Sequence, residues 1–214
     1  MLLEAKGLQR QIDDRLLWDS LDLSIQSGER IALRGPSGSG KTLLMRTLCA
    51  LDLPDRGSIR FKQKLLSEWH LPAYRKKVCY LPQDASFLTG TVRASITAFF
   101  SFRSNRDLSW SEEHFSRMLD ALQLPHSFAD KTADHLSGGE KQLTAIIRTL
   151  LLEPVILLLD EPTSNLDESM TERVEALITA WMQENSDRAF LWTSHDSRQL
   201  DRITQRAIVL NNEQ

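Results

Sequence analysis

The sequence contains very little cysteine: its 214 residues include only Cys49 and Cys79. Two cysteines cannot build the disulfide framework that is typical of small secreted domains, and neither belongs to a CxxC motif or a Cys/His cluster that would indicate zinc. We therefore expect a protein of a reducing compartment, with both thiols packed in or near the core. A chain of this length can bury a full hydrophobic core without cross-links.

Long hydrophobic runs are also missing. The most apolar stretch, residues 145–159, is interrupted by Arg148, Glu153 and Pro154, whereas a membrane-spanning helix needs about 20 apolar residues. The first ten residues show no basic segment followed by a long apolar core, so no signal peptide is predicted. We expect a cytoplasmic protein that contacts a membrane only through a partner.

The sequence has no surplus of positive charge either. Its formal net charge is −3 and its isoelectric point is about 6.0. Proteins that bind nucleic acid over a broad surface usually carry a basic surplus, because much of their affinity comes from neutralised phosphates. We therefore expect no nucleic-acid partner.

What the sequence does contain is an alternation of strand and helix patterns. Strands are predicted at residues 15–25, 30–34, 57–63, 77–83, 155–160, 189–194 and 206–210, and helices at 41–51 and around 170–181. The run 155–160 is continuously apolar, as in a strand that is buried on both faces. Such alternation predicts an α/β fold with a mainly parallel sheet.

The pattern changes between about residues 84 and 135. Phe115, Met118, Leu119 and Leu122 fall on one helical face in this segment. Aromatic residues cluster here, namely Phe87, Phe99, Phe100, Phe102, Trp110 and Phe115. We interpret the segment as a mostly helical insert in a single domain of residues 1–214. Most of its aromatics should be core, and some are expected to line a groove for a partner.

A glycine-rich loop follows the strand predicted at 30–34. Its sequence, "GPSGSGKT", fits G-x-x-x-x-G-K-[ST] and precedes a helix, which is the context that a phosphate-binding loop requires. The predicted ATP-binding residues are Gly35, Pro36, Ser37, Gly38, Ser39, Gly40, Lys41 and Thr42. Lys41 would supply a charge to the β and γ oxygens, and Thr42 would bind Mg²⁺.

The buried strand predicted at 155–160 ends in two acidic residues, Asp160 and Glu161. Ligands of open parallel sheets bind at the carboxyl ends of the strands. Asp160 is therefore a candidate to hold Mg²⁺ through its hydration shell. Glu161 is the candidate general base that polarises a water molecule toward the γ-phosphate.

A second candidate anion site lies at "LSGGE", residues 136–140. Ser137 and Glu140 have the spacing of a capping box at a helix start. The capping box does not explain Gly138 and Gly139, because each would cost about 1 kcal/mol relative to alanine inside a helix. Close approach of the backbone to a phosphate would explain them.

Taken together, these motifs resemble a known family. "GPSGSGKT", "LPQ", "LSGGE", "VILLLDEP", "SNLD" and "TSHD" occur in the order and spacing of the ATP-binding subunits of ABC transporters, and the resemblance covers essentially the whole chain. It implies a P-loop NTPase fold of ABC type, with a mainly parallel core, an N-terminal antiparallel β subdomain and an inserted helical subdomain. It also implies ATP hydrolysis that depends on Mg²⁺.

The resemblance further implies roles for individual residues. Gln83 would sense Mg²⁺ and the attacking water and join Thr42 and Asp160 around the metal, and His195 would contact the γ-phosphate and position Glu161. Asp167 would reach across a dimer interface. The residues of the signature, Ser137, Gly138, Gly139 and Glu140, would bind the γ-phosphate held by Lys41 of the other subunit. The implied partners are a second copy of the chain, with ATP sandwiched between the two, and an integral membrane permease on whose cytoplasmic face the chain would lie.

Three positions depart from the family pattern. Ile12 stands where relatives commonly place an aromatic residue on adenine, so stacking there should be weaker. Leu143 replaces a common arginine, and Asn165 replaces a common alanine. The residues expected to hydrolyse ATP are all present.

The transported cargo is not encoded in these motifs. Within the family the chain looks most similar to ATP-binding subunits for iron export, and those for lipoprotein release and amino-acid uptake are alternatives. A non-transport ABC ATPase of DNA repair, chromosome structure or translation is the alternative of another class, but the chain lacks the coiled-coil insertions or second cassette usual there. A P-loop small-molecule kinase or GTPase would not explain "LSGGE" followed by the acidic strand.

Overall fold

The fold is seen in a computed structural model that describes residues 1–84 and 90–211. The strands are β1 (Leu3–Ile12), β2 (Arg15–Ile25), β3 (Arg30–Arg34), β4 (Arg56–Phe61), β5 (Lys64–Leu65), β6 (Val78–Leu81), β7 (Ile156–Asp160), β8 (Ala189–Thr193) and β9 (Arg206–Val209). The α-helices are α1 (Lys41–Leu48), α2 (Leu71–Lys77), α3 (Val92–Thr97), α4 (Glu112–Ala121), α5 (Gly138–Leu151), α6 (Glu168–Glu184) and α7 (Ser197–Ile203).

The centre of the fold is a five-stranded sheet in the order β6-β7-β8-β3-β9, with every pair parallel. All five residues of β7 are buried. Its Leu157 and Leu159 belong to one hydrophobic cluster, and Ile156 and Leu158 belong to another. Since successive side chains of a strand point to opposite faces, the sheet is covered on both sides, as its continuous apolar sequence predicts.

A second sheet is antiparallel, in the order β2-β1-β4-β5. Its Trp18, Ile25 and Phe61 are buried in the same cluster as Leu33 of β3 and Leu48 of α1. The two sheets therefore share a core through the helix that follows the glycine-rich loop. This architecture confirms the predicted α/β fold, with its mainly parallel core and N-terminal antiparallel part.

Most of the predicted elements are present, and the differences lie at their ends. The helix predicted to residue 51 ends at Leu48, because Ala50 has a φ of 61°. The strand predicted to residue 63 ends at Phe61, since Lys62 and Gln63, with φ of 49° and 67°, form the turn into β5. Positive φ is uncommon outside glycine, and apolar periodicity does not reveal it.

Between β6 and α5 the described chain contains α3, α4 and several short 3₁₀ segments. The face predicted for α4 is confirmed, because Phe115, Met118, Leu119 and Leu122 are all buried. Phe87 lies outside the described residues. The division of the chain into one domain with an insert at about 84–135 stays a prediction.

The two cysteines are packed as expected. Cys49 is buried, and Cys79 is half-buried against the cluster under α5. Burial raises the pKa of the Cys49 thiol to about 11 and that of Cys79 to about 12. Over residues 1–84 and 90–211, no helix is both long enough and apolar enough to cross a membrane.

Candidate active site

The glycine-rich loop joins the end of β3 to the start of α1, and two of its glycines have no room for a side chain. A Cβ atom on Gly40 would lie 2.6 Å from Nε1 of Trp18, and one on Gly35 would lie 2.5 Å from the carbonyl oxygen of Leu210. Gly40 also has a φ of 87° as the N-cap of α1. Only glycine fits the loop at these two positions, and without side chains there the backbone can approach a ligand at the helix start closely.

Lys41 closes the loop on itself. Its Nζ donates to the carbonyl oxygens of Gly35 at 2.8 Å and Pro36 at 3.0 Å. The first turn of α1 holds no acidic residue that would repel an anion. A cationic amine above a glycine cradle at a helix start fits the charge and shape of a polyphosphate, so the residues present suit ATP.

Asp160 lies at the end of β7, 6% exposed, and its carboxylate accepts three side-chain hydrogen bonds. Thr42 donates to Oδ2 at 2.7 Å, Tyr80 donates to Oδ2 at 3.0 Å, and Thr193 donates to Oδ1 at 2.9 Å. The structure thus brings together Thr42 and Asp160, which were both predicted to bind Mg²⁺. Hydroxyl and carboxylate oxygens are the donors that Mg²⁺ prefers, so the donor set fits that ion.

Tyr80 and Thr193 belong to the site, although the sequence analysis did not identify them. Tyr80 is in β6 and Thr193 ends β8, the strands on either side of β7. Burial and the neighbouring Asp160 raise the pKa of Tyr80, so its hydroxyl remains a donor. A polar residue at the end of an apolar strand, as in "AFLWT", is the one signal that would have pointed to Thr193.

Glu161 is contacted by the two other predicted catalytic residues. Its Oε1 lies 2.8 Å from Nε2 of His195, and its Oε2 accepts a hydrogen bond of 3.2 Å from Nε2 of Gln83. Glu161 itself has a φ of 48°, and its backbone N–H donates to the hydroxyl of Thr193 at 3.1 Å. Three segments that are distant in the chain therefore meet around one carboxylate.

These groups surround an open cavity of about 880 Å³. Its lining residues include Ile12, Asp13, Asp14, Arg15, Leu17, Ser37, Gly38, Gly40, Lys41, Thr42, Gln83, Asp160, Glu161 and His195. Ile12, at 45% exposure, borders the cavity from the β1–β2 turn. An isoleucine there offers an apolar contact to a base but no ring to stack on it.

The signature residues lie elsewhere. Ser137 to Glu140 and Asp167 line a different cavity of about 780 Å³, and over the described residues the two cavities have no lining residue in common. The predicted capping box is confirmed: Ser137 Oγ accepts from the N–H of Glu140 at 3.2 Å, and Glu140 Oε2 accepts from the N–H of Ser137 at 2.9 Å. Asp167 caps α6 by accepting from the N–H of Met170 at 2.8 Å.

The two signature glycines differ in their surroundings. A Cβ atom on Gly139 would lie 2.9 Å from the carbonyl oxygen of Asn165, so packing within the chain already accounts for this glycine. A Cβ atom on Gly138 would meet nothing within 4 Å. Close approach of a ligand is therefore needed to explain Gly138 alone.

A phosphate loop facing an acidic strand end, on a parallel sheet of this order, defines a P-loop nucleotide hydrolase. The sequence model of the ABC transporter family matches residues 18–164, and the chain belongs to this family. It is therefore an ATP-binding, ATP-hydrolysing subunit of the transporter type, with ATP and Mg²⁺ as its ligands.

Several curated proteins are similar over nearly the whole chain. An ABC transporter ATP-binding protein of Brucella suis biovar 1 (strain 1330) is 37% identical over 94% of this chain and 82% of its own length. "Probable iron export ATP-binding protein FetA" of Escherichia coli K12 is 31% identical over 94% of this chain and 87% of its own length.

Import proteins are similar as well. The nickel import ATP-binding protein NikE of Brucella abortus (strain 2308) is 33% identical over 91% of this chain and 75% of its own length. The spermidine/putrescine import ATP-binding protein PotA of Nitratidesulfovibrio vulgaris is 31% identical, but this chain spans only 56% of that protein. Among solved structures, a dimeric bacterial ABC transporter cassette superposes with a TM-score of 0.84 at 25% identity, covering 99% of this chain and 95% of that one.

The position of Ile12 leads to a binding prediction. Ile12→Tyr should lower the Kd for Mg-ATP about 2- to 10-fold, because a stacked aromatic pair is worth roughly 0.5–1.5 kcal/mol. Isothermal titration calorimetry measures this. Ile12→Leu, which adds no ring, is the matched control and should bind like the wild type. An unchanged Kd for the tyrosine variant would show that the base does not lie against this turn.

Proposed function

We propose that this chain powers a membrane transporter as a head-to-tail pair of copies, with ATP bound between the phosphate loop of one copy and the signature of the other. The observation that carries the proposal is the separation of the two anion sites into different cavities. Gly138 is open to solvent at a helix start, where backbone N–H groups can meet an anion. Within one copy, the phosphate loop lies in a different cavity from the signature, so the phosphate at the signature would have to come from ATP bound to a second copy.

Glu161 is proposed as the general base. Its side chain is 13% exposed, whereas that of His195 is 78% exposed, so the glutamate lies deeper in the cavity and the histidine covers it from outside. The Glu161 carboxylate would take a proton from water as the water oxygen bonds to the γ-phosphorus and the bond to the β-phosphate oxygen breaks. Gln83 and His195, one on each carboxylate oxygen, would orient it.

Thr42, Asp160 and Gln83 are the proposed ligands of Mg²⁺, directly or through water. When bound, Mg²⁺ neutralises charge on the β- and γ-phosphate oxygens. The hydrogen bonds from Tyr80 and Thr193 hold the Asp160 carboxylate in one orientation, as partners of metal ligands commonly do.

Replacement of Glu161 tests the base and the pair together. Glu161→Gln should retain ATP binding and lower kcat by about 100-fold or more, since general-base catalysis contributes roughly 10²–10⁴. Because ATP then persists, the variant should elute as a dimer with ATP in size-exclusion chromatography with light scattering, and as a monomer without it. Hydrolysis at the wild-type rate would reject Glu161 as the base.

Addition of Ser137→Arg to the Glu161→Gln protein tests the signature. The arginine side chain should block the ATP-dependent dimer while leaving ATP binding by the monomer intact. Ser111→Arg is the matched control, because Ser111 is also an exposed N-cap, that of α4, and its loss costs the same capping of about 1 kcal/mol. A dimer that survives Ser137→Arg would refute the sandwich.

The proposed membrane partner has a fitting surface next to the active site. A groove of about 200 Å³ lies between the end of α1, β6, α5 and the insert. Its lining includes Cys49, Leu51, Arg75, Val78, Cys79, Tyr80, Phe99, Arg148, Thr149 and Leu152; we call it the insert groove. Leu51 is 46% exposed, and Phe99 and Leu152 line the groove with it, so the apolar face of an amphipathic helix from a membrane subunit's cytoplasmic loop matches its chemistry.

Docking in the insert groove is testable by co-purification. Leu51→Glu should abolish recovery of a multi-spanning membrane protein from detergent extracts, because a carboxylate replaces the apolar contact. Leu53→Glu is the matched control: Leu53 is 68% exposed but lines a separate groove with Trp69. Equal recovery with both variants would place the partner elsewhere. Salt-sensitive recovery of nucleic acid instead would favour a non-transport ABC ATPase.

For the cargo we propose a metal ion, with iron export as the specific case. The support is the likeness to FetA over nearly the full length of both chains; the nickel import relative supports the metal class but not the direction. The cargo would pass through the membrane subunit, as the resemblance to transporter ATP-binding subunits implies.

The purified complex in vesicles tests the cargo. Fe²⁺ on the side of the ATP-binding subunit should stimulate ATP hydrolysis several-fold and leave that side with ATP, whereas Ni²⁺ and spermidine should have little effect. The complex with Glu161→Gln is the control for transport that does not depend on hydrolysis. Stimulation from the opposite side would identify an importer.

A further inference from the structure

A buried polar cluster joins α6 and α7 behind the active site. Glu175 of α6 is 8% exposed and Gln199 of α7 is 2% exposed. The Gln199 amide donates from Nε2 to Glu175 Oε1 at 2.8 Å and to the hydroxyl of Thr163 at 3.0 Å. Arg202 completes the cluster with two hydrogen bonds to Glu175, from Nε at 2.8 Å and from Nη2 at 2.6 Å.

The cluster is costly unless it is fully paired. A carboxylate withdrawn from water needs a partner charge or several donors, and Glu175 has both. Within the cluster, the amide of Gln199 bonds both to Glu175 in α6 and to Thr163 in the loop before α6. An apolar residue of similar size would pack α6 against α7 without bonding either helix to Thr163.

The two ends of this link lie next to the proposed catalytic pair. Thr163 is two residues after Glu161, and Gln199 is four residues after His195, in the helix whose N-cap is Asp196. A cavity of about 480 Å³ is lined by all four of these residues. The 2.8 Å contact between Glu161 and His195 therefore has a second, buried connection behind it.

We propose that Gln199 is a positioning residue that fixes the loop carrying Glu161 relative to the segment carrying His195. Gln199 does not line the cavity around the glycine-rich loop; it acts through Thr163 on one side and through the first turns of α7 on the other. Small misplacements of reacting groups reduce the rate much more than they reduce ground-state binding. The inference rests on the proposed roles of Glu161 and His195.

Gln199→Leu removes the amide and keeps most of the volume. The expected result is a kcat for ATP about 10-fold lower, with KM and the Kd for Mg-ATP within about twofold of the wild type. A purely structural role would instead lower the melting temperature and leave kcat unchanged at temperatures where the protein is folded. A wild-type kcat, or a kcat that falls only together with a raised Kd, would overturn the proposal.

Arg188→Met is the matched control. Arg188 is 9% exposed and bonds to the other end of α6 through the carbonyl oxygen of Trp181 at 2.6 Å and Glu184 at 2.7 Å. These bonds hold the C-terminal end of α6 and do not reach Thr163 or α7, so loss of Arg188 should lower the melting temperature while kcat stays at the wild-type value. A kcat reduced as much as in Gln199→Leu would show that any weakening of α6 slows hydrolysis, which contradicts a specific role.

Thr163→Val provides a second variant should Gln199→Leu fail to fold. It replaces the hydroxyl with a methyl group and should lower kcat in the same way. The double variant should be no slower than the slower single variant, because both substitutions remove the same link. A double variant whose loss of kcat equals the product of the two single losses would overturn the proposal that Gln199 and Thr163 form one link.

Hydrogen exchange separates failure of this proposal from failure of the proposed catalytic roles. In nucleotide-free Gln199→Leu, amides of residues 161–167 should exchange faster than in the wild type, whatever Glu161 does chemically. Unchanged exchange there rejects the link. Faster exchange with wild-type activity in Glu161→Gln would reject the role of Glu161 but retain the link.

Discussion

The active site depends on one buried carboxylate, that of Asp160. It accepts hydrogen bonds from Thr42 at the start of α1, Tyr80 in β6 and Thr193 at the end of β8. A carboxylate that is 6% exposed would be strongly destabilising without such donors. The requirement to satisfy it therefore draws the phosphate loop and both neighbouring strands into one geometry, and the same oxygens face the cavity where Mg²⁺ is proposed to bind. The Asp160 carboxylate thus serves both the stability of the fold and the proposed binding of Mg²⁺, and its orientation is fixed without the metal.

Strand β6 connects this carboxylate to the surface proposed for the membrane partner. Tyr80 lines the insert groove and also donates to Asp160, and Gln83 contacts Glu161 three residues further on. A helix seated in the groove would press on β6, which holds Tyr80 and ends two residues before Gln83. The groove is therefore joined to Asp160 through Tyr80, and Gln83, just after the same strand, contacts Glu161.

The local motifs predicted much of the site, while its supporting contacts could not be predicted. Lys41, Thr42, Asp160 and Glu161 follow from patterns of a few residues in strand–loop–helix context. Tyr80, Thr193 and the Glu175–Gln199–Thr163 cluster depend on which distant segments the fold brings together, and Gln199 in particular sits in a sequence with no motif of its own. Element ends were missed where non-glycine residues take positive φ, as at Ala50. The periodicity of apolar residues predicts which side chains are buried. It does not predict polar contacts between distant segments or residues with positive φ.

The two glycines of the signature, Gly138 and Gly139, differ in what the fold places beside them. The sequence alone predicts a ligand beside both glycines of "LSGGE", but the loop containing Asn165 already occupies the space beside Gly139. That contact ties the start of α5 to the segment that leads into Asp167 and α6, so the two parts of the proposed dimer surface are packed as one unit within each copy. Gly138 is left open, with the capping box on either side of it fully formed. In the proposed sandwich, the phosphate loop of the second copy would face this open glycine, at a helix start where backbone N–H groups favour an anion.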